Sequence, residues 1–464
     1  MNRKVLVVDF GSTYTKVVAI DLASEEVLGW AQAPSTVDSD IMIGVNEALE
    51  NLKVDFGVDG RLMSKRLACS SAAGGLRMVA LGLVPELTAE AAKRAALGAG
   101  AKVIKVLSYK LDRGEVEAIE AINPDILLIA GGTDGGNEEV ILHNARLIAP
   151  AEITAPIIMA GNKSVKSEVE DIFRSQGKDI YVTENVMPEL GKLNVEPTRE
   201  VIREIFIERI VFAKGFHRAK EFAGDILMPT PLAVLRGADL LAKGTQNEKG
   251  MGELMVIDVG GATTDVHSVS EGKPSRSEVI LKGLPEPYAK RTVEGDLGLR
   301  MNAASLWEFC KQDSRVKNMT LPIGEIEKYV HHLTKHTSVI PTSDFECEVD
   351  KEMACTAVEI ATQRHAGSLS SFYLPAGETV FMQVGKDLTE VKTVIGTGGV
   401  FKYGRNGREI LLASTFKKEN PFSLKPKSPR FFVDKHYLLF AGGLLSTVAP
   451  EAAIRILRDQ LKEV

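Results

Sequence analysis

The chain has 464 residues, 44% of them hydrophobic and 25% charged, with a formal net charge of −6. That length allows two or three domains, each with its own core, and the mild acidity gives no general pull towards nucleic acid or an anionic membrane. No apolar run reaches the roughly 18 residues of a membrane span. The four cysteines (Cys69, Cys310, Cys347 and Cys355) lie outside any C-x-x-C spacing and read as ordinary thiols of a reducing compartment, not as a zinc or iron–sulfur site.

In chain order, Met1-Asn2-Arg3-Lys4 runs straight into the β-branched segment Val5 to Val8. Asp9, the tip Gly11-Ser12-Thr13-Tyr14-Thr15-Lys16 and a second apolar run, Val17 to Ile20, follow. This reads as strand, tight turn, strand. A helix is expected over Gly44 to Leu52. From about 61 to 185, strands (Val103 to Ser108, Ile126 to Ala130, Ile157 to Ala160, Ile180 to Thr183) alternate with helices (Ala89 to Ala99, Gly114 to Ile122, Glu138 to Ile148, Val165 to Ser175). Such alternation signals a parallel doubly wound sheet, and its contrast with the opening hairpin marks an inserted module. Thr198 to Glu221 reads as one long amphipathic helix, and Pro229-Thr230-Pro231 opens another, Leu232 to Lys243. The polar stretch Gly244 to Gly252 leads into a second hairpin: Met255 to Ile257, Asp258, the tip Gly260-Gly261-Ala262-Thr263-Thr264, then Asp265 and Val266 to Val269. Helices are expected over 297–338 and 350–371, strands over Glu378 to Gln383 and Thr393 to Gly396, a basic loop over Lys402 to Lys435, and a last helix over 446–463.

The two hairpins carry the chemistry. Gly11, Gly260 and Gly261 let backbone N–H groups approach a polyphosphate closely, and Ser12, Thr13, Thr15, Thr263 and Thr264 add hydroxyl donors. Asp9 and Asp258, at the ends of two strands, are placed to hold a hydrated Mg2+ between them. The repeat suggests two related half-sites closing on one nucleotide. Gly396-Thr397-Gly398-Gly399, after an apolar strand, lets backbone lie against a nucleoside, and the small Ala233, Gly237 and Ala238 permit close packing of the helix before the second hairpin. Gly131 to Gly136 follows a strand and precedes a helix, where open α/β sheets bind ligands, and reads equally well as a plain turn. His332 and His336 lie one helical turn apart without a third ligand and read as a polar helix face. Lys417, Lys418, Lys425, Lys427 and Arg430 read as a solvated loop, and Phe431, Phe432 and Tyr437 as core anchors. The Walker pattern G-x-x-x-x-G-K-[ST] is missing, which disfavours a P-loop ATPase.

The order of these parts over residues 1–60 and 228–464 resembles the actin, heat-shock-70 and sugar-kinase superfamily: two phosphate loops, two connecting helices and an adenosine loop. The fold so implied is α/β, a two-lobed actin-like (ribonuclease H-like) ATPase with an inserted doubly wound α/β module. Its parts are expected at 1–60 (hairpin part of the first lobe), 61–190 (inserted module), 191–243 (helices completing the first lobe, with the connecting helix), 244–440 (second lobe) and 441–464 (connecting region and C-terminal helix). Glu294-Gly295-Asp296-Leu297-Gly298 resembles the segment that opens a helix under the nucleotide, which adds Glu294 and Asp296 to the nucleotide-binding set.

Within the superfamily the whole chain resembles the GlmL/MutL family, the accessory proteins of glutamate (methylaspartate) mutase and related aminomutases. The resemblance rests on VVDFGSTYTK at 7–16, ILLIAGGTDGGN at 126–137, VIDVGGATTDVHSV at 256–269, VEGDLG at 293–298, VIGTGGVF at 394–401 and LLFAGG at 438–443. It implies a cytoplasmic, ATP-dependent factor that reactivates an adenosylcobalamin enzyme by helping exchange damaged cobalamin. The implied cofactors are ATP and Mg2+. The implied partners are mutase subunits, with a homodimer as the self-assembly and with no nucleic acid or membrane. Lys16 would reach the β- and γ-phosphates, Asp9 and Asp258 would hold Mg2+ through water, and Asp265 would orient the second loop or a catalytic water. Three alternatives stay open: a small-molecule kinase on the same scaffold, a hydantoinase-type subunit suggested by GGATTDV, and a nucleotide-gated binding protein without catalysis.

Overall fold

A computed structural model describes residues 4–36, 39–52, 65–71, 76–211, 222, 227–276, 279–317, 319, 321–373 and 379–464. The chain forms two compact units: Met1–Ala72 with Lys214–Lys282 and Glu286–Val464, and Ala73–Ala213 with Gly283–Pro285. The expected junction between residues 60 and 61 lies outside the described residues.

Strands β1 (Lys4–Phe10), β2 (Tyr14–Asp21), β3 (Glu26–Pro34) and β4 (Lys65–Ser70) open the first unit. Strands β5 (Arg77–Gly82), β6 (Lys102–Ser108), β7 (Ile126–Ile129), β8 (Ile157–Met159) and β9 (Ile180–Val182) belong to the second, and β10 (Leu227–Pro229) returns to the first sheet. That sheet has the order β10-β4-β1-β2-β3, antiparallel among β1, β2 and β3 and parallel through β4 to β10.

Strands β11 (Leu254–Val259), β12 (Thr264–Val269), β13 (Val279–Lys282) and β14 (Ala289–Glu294) come next in the chain. They are followed by β15 (Ser368–Tyr373), β16 (Thr379–Val384), β17 (Thr393–Gly398), β18 (Arg430–Asp434) and β19 (Leu461–Glu463). The second sheet, β14-β12-β11-β17-β18-β19, repeats the scheme of the first: an antiparallel trio, then two parallel strands, with β19 added antiparallel at the edge. A small third sheet joins β13, β16 and β15.

Helix Thr230–Lys243 follows β10 with a proline in its first turn, where a missing N–H costs nothing. It crosses helix Leu439–Leu445, and one core holds both helices and the two sheets, through Val7, Leu67, Ala233, Leu241, Val256, Phe440 and Ile454. The approach is so close that a Cβ on Gly237 would stand 2.3 Å from Leu439 O, and one on Gly443 would stand 1.8 Å from Ala233 O. Helices Ala303–Cys310, Ile323–Lys335 and Asp344–His365 cover the second sheet over a separate core that includes Leu306, Trp307, Leu333 and Met353.

The second unit is a five-stranded parallel sheet of order β6-β5-β7-β8-β9, a doubly wound arrangement. Its Gly131–Gly136 turn is pinned from below. Gly135 N donates to Oδ1 of the buried Asn162 at 3.0 Å, and Asn185 Nδ2 donates to Gly132 O at 3.0 Å.

Several expected elements shift. The helix expected from Gly44 begins at Ile41, because Asp40 caps it by accepting from Met42 N at 3.0 Å. The helix expected over Thr198 to Glu221 runs Glu196–Val211, and residues 212–221 lie outside the described set. The stretch Lys402 to Lys435, expected as loop, contributes to helices Gly399–Tyr403 and Gly407–Leu412 and holds strand β18. The last helix is Pro450–Gln460, followed by β19.

Substituting Gly443→Ala should overpack the helix crossing and lower unfolding stability by about 2–3 kcal/mol. Urea denaturation with an unchanged m-value and a reduced midpoint would show it.

Candidate functional site

The two hairpins fold alike because their sequences do. Gly11 N donates to Tyr14 O at 3.1 Å, and Gly260 N donates to Thr263 O at 2.9 Å, so each tip closes on the same four-residue turn. A Cβ at Gly11 would stand 2.3 Å from Tyr14 O, which only glycine avoids. In both sheets the aspartate of the first strand comes just before the turn, Asp9 paired in register with Lys16 and Asp258 with Asp265. Both tips line one cavity of about 490 Å³, a size suited to a cofactor or small ligand. They approach closely there: a Cβ on Gly261 would lie 3.3 Å from Thr13 Oγ1.

Of the residues expected in a nucleotide site, Asp9, Gly11, Ser12, Thr13, Tyr14, Lys16, Asp258, Gly260, Gly261, Ala262, Thr263, Asp265, Gly398 and Gly399 line this cavity. Thr15, Thr264, Glu294, Asp296, Gly396 and Thr397 are not among its lining residues. Thr264 Oγ1 donates to Leu297 O at 2.7 Å, and Thr397 Oγ1 donates to Asp434 Oδ2 at 3.0 Å. Thr15 is buried behind the first turn. Glu294 and Asp296 both hold Arg364, at 2.6 and 3.0 Å. The segment after them braces the second tip from behind. Leu299 N donates to Gly260 O, Arg300 N to Gly261 O, and Asn302 Nδ2 to Ala262 O at 2.7 Å.

The carboxylates differ in their compensation. Asp9, 1% exposed, receives Lys16 Nζ at 3.0 Å and Thr230 Oγ1 at 2.6 Å. Asp265 is ion-paired with the buried Arg291 at 2.6 Å and accepts from Thr263 Oγ1 at 2.8 Å. Asp258 has only the phenol of Tyr437, at 2.9 Å, among the described residues. Burial first, then the charges of Asp265 and Asp9, push the Asp258 carboxyl up to about 7 against the opposing pull of Lys16 and Tyr437. Burial, then the charges of Asp258 and Asp9, raise the Tyr437 phenol well above its ordinary value, so it stays a donor. Lys16 stands 3.6 Å from the centroid of the Tyr437 ring. Among the described residues Asp258 is thus the one of these three carboxylates with no ion-pair partner. Asp9 and Asp258 in one cavity match the one or two carboxylates with which Mg2+ is usually held.

Tyr437, expected as a core anchor, packs on the core and also turns its hydroxyl to Asp258. Its backbone lies in the left-handed region, at φ 56. Sequence reasoning also missed Thr230, Lys402 and the face Asp344, Cys347, Glu348 and Lys351 of helix Asp344–His365, all cavity-lining. The i, i+3, i+4, i+7 spacing of those four was the available signal. The rings of His332 and His336 lie 4.4 Å apart. No cluster of three or more metal-capable side chains occurs among the described residues, and no helix among them is long and apolar enough to cross a membrane.

Two sheets built to one scheme, each opening on a glycine hairpin that faces a shared cavity, define the two-lobed actin-like (ribonuclease H-like) ATPase fold, here with a doubly wound module between β4 and β10. Residues 5–461 match the family model described as MutL protein. The chain is 50% identical over 461 residues to Protein MutL of Clostridium tetanomorphum, with 99% of each chain covered. It belongs to the MutL protein family. Among solved structures, ethanolamine utilization protein EutJ from Carboxydothermus hydrogenoformans is 10% identical with a TM-score of 0.30, covering 97% of this chain and 89% of that one. Gluconate kinase from Lactobacillus acidophilus is 10% identical with a TM-score of 0.33, covering 99% and 92%. Likeness at that level adds nothing to the topology described above.

Replacing Arg291 with Met should leave the Asp265 carboxylate buried and uncompensated, at a cost of about 3–5 kcal/mol. Thermal denaturation should show that loss, with Arg291→Met/Asp265→Leu recovering much of it.

Proposed function

We propose that this chain binds Mg-ATP between its two hairpins, hydrolyses it, and uses the cycle to reactivate an adenosylcobalamin-dependent mutase, glutamate mutase first. The observation that carries the nucleotide half is the pair of matching glycine turns, each preceded by an aspartate, facing one cavity. The mutase half rests on membership of the MutL protein family.

In this reading the backbone N–H groups of both tips and the hydroxyls of Ser12, Thr13 and Thr263 orient the polyphosphate. Asp9 and Asp258 hold Mg2+ through water, and the bound ion supplies charge neutralisation at the phosphates. Lys16, now shared between Asp9 and the Tyr437 ring, is the first-lobe cation for the β- and γ-phosphates. Asp265, engaged by Arg291 and Thr263, holds the second loop in shape and does not act as a base. Gly398, Gly399 and the 344–351 helix face take the nucleoside end. The crossing of helices Thr230–Lys243 and Leu439–Leu445 is where a change at the phosphates becomes a change in lobe closure.

Asp9→Ala and Asp258→Ala should each lower steady-state ATP hydrolysis, measured with water as the only acceptor, by at least about 100-fold. The thermal midpoint should stay near wild type in Asp258→Ala and fall in Asp9→Ala, where Lys16 and Thr230 lose their buried partner. Hydrolysis near the wild-type rate in either variant would remove the Mg2+ assignment, and consumption of ATP only with an added acceptor would favour a kinase. We further propose that the 61–185 region docks the mutase. Because β4 (Lys65–Ser70) is a strand of the first sheet, the deletion that tests this is confined to Ala73–Ala213. It should spare ATP hydrolysis and abolish recovery of cobalamin-inactivated mutase, and loss of both activities in a folded protein would count against that role.

A further inference from the structure

Lys402 lies in helix Gly399–Tyr403, directly after the tight Gly398, whose φ of 105 brings the chain against Val259 O. Its Nζ reaches across the cavity to strand β3. It donates to Gln32 Oε1 at 2.9 Å and stands 3.6 Å from the centroid of the Trp30 ring. Among the described residues this ammonium has no carboxylate partner. An amide oxygen and an aromatic face compensate a cation weakly. Burial, and then the charge of Lys16, hold Lys402 down at about 7 against the opposite pull of Asp434. Lys402, Lys16 and Gln32 all line the cavity that the two glycine tips face.

We propose that Lys402 is a second, switchable cation for the polyphosphate, and that its Nζ leaves Gln32 and Trp30 when phosphate binds, so that strand β3 of the first lobe senses the nucleotide. The inference rests on the nucleotide reading above and adds to it a ligand and the contact that ligand gives up. The direction follows from acceptor strength: a hydrogen bond to an ionised oxygen is roughly twice as strong as one to a neutral amide. The clasp is also wired to the site. Trp30 packs 5.7 Å from the ring of His436, whose neighbour Tyr437 touches Asp258 and Lys16.

Trp30 supplies the probe. The chain has two tryptophans. Trp30 is 36% exposed and lies under Lys402, whereas Trp307 is 3% exposed within the core. Mg-ATP is titrated into the full-length wild type, Lys402→Met, Gln32→Leu and Trp30→Phe, with calorimetry reporting affinity and tryptophan emission reporting the clasp. Wild type should bind with a change in emission, and Trp30→Phe should bind with most of that change gone. Lys402→Met should bind about tenfold more weakly and show no emission change. Gln32→Leu, which removes the competing acceptor, should bind at least as tightly as wild type, and it keeps the test decisive should Lys402→Met misfold. Binding by Lys402→Met within twofold of wild type, an undiminished emission change in that variant, or a comparable loss of affinity in Gln32→Leu would overturn the proposal. Failure of the wild type to bind Mg-ATP would overturn the nucleotide reading itself.

Discussion

The organising constraint is electrostatic. Three aspartates crowd the cavity between the hairpins, and the protein offsets them unequally: Asp9 with Lys16, Asp265 with Arg291, and Asp258 with a phenol. Burial first, and then the charge of Asp265, leaves its mark in the raised Asp258 carboxyl. Most of what surrounds the cavity serves to hold these groups where solvation alone would scatter them. Thr230 fixes Asp9 from the start of one connecting helix, and Tyr437 fixes Asp258 from just before the other. Asp9, Asp258 and the crossing helices are therefore one device, because these two aspartates are hydrogen-bonded to residues at or just before the starts of the helices through which the lobes meet.

That coupling explains why the crossing is so tight. Gly237 and Gly443 let the helix backbones meet with no side chain between them, so a small displacement at either aspartate has little slack in which to dissipate. Elsewhere in the first unit Arg455 joins Glu25 of the β2–β3 turn to Glu248 of the linker before β11, with its Nη1 2.7 Å from Glu248 Oε1. The second sheet is tied to its helical cover by Arg300, which bonds Asp350 at 2.6 Å and donates to Val339 O at 3.0 Å while its own N–H braces the second tip.

What could be read in the sequence was local. The hairpins were legible because glycine, hydroxyl and aspartate recur at fixed spacing after β-branched runs, and the alternating strands and helices of the second unit were legible by periodicity. Tyr437, Thr230 and Lys402 were not, since each reaches the cavity through a partner 179, 221 and 370 positions away in turn, and carries no pattern of its own. Composition misled most in the basic stretch 402–435. Its lysines read as solvated, yet Lys425 is 2% exposed and held down at about 8 by burial, and Lys417 is paired with Glu359 at 2.6 Å. Lys386 is an equal surprise: fully buried, it donates to the carbonyls of Pro287 and Tyr288 at 2.9 and 2.7 Å and acts as a structural post. A charged residue declares its partners only once the chain has folded around it.

In the proposed nucleotide site two equivalent turns grip a polyphosphate with a divalent ion between their aspartates. Calorimetric titration of the full-length chain with ATP, ADP and AMP, each with and without Mg2+, tests it most directly. One site per chain, affinity that falls steeply from ATP to AMP, and a marked loss of ATP binding when Mg2+ is withheld are the expected results. Equal affinity for ATP and AMP, or ATP binding indifferent to Mg2+, would contradict it.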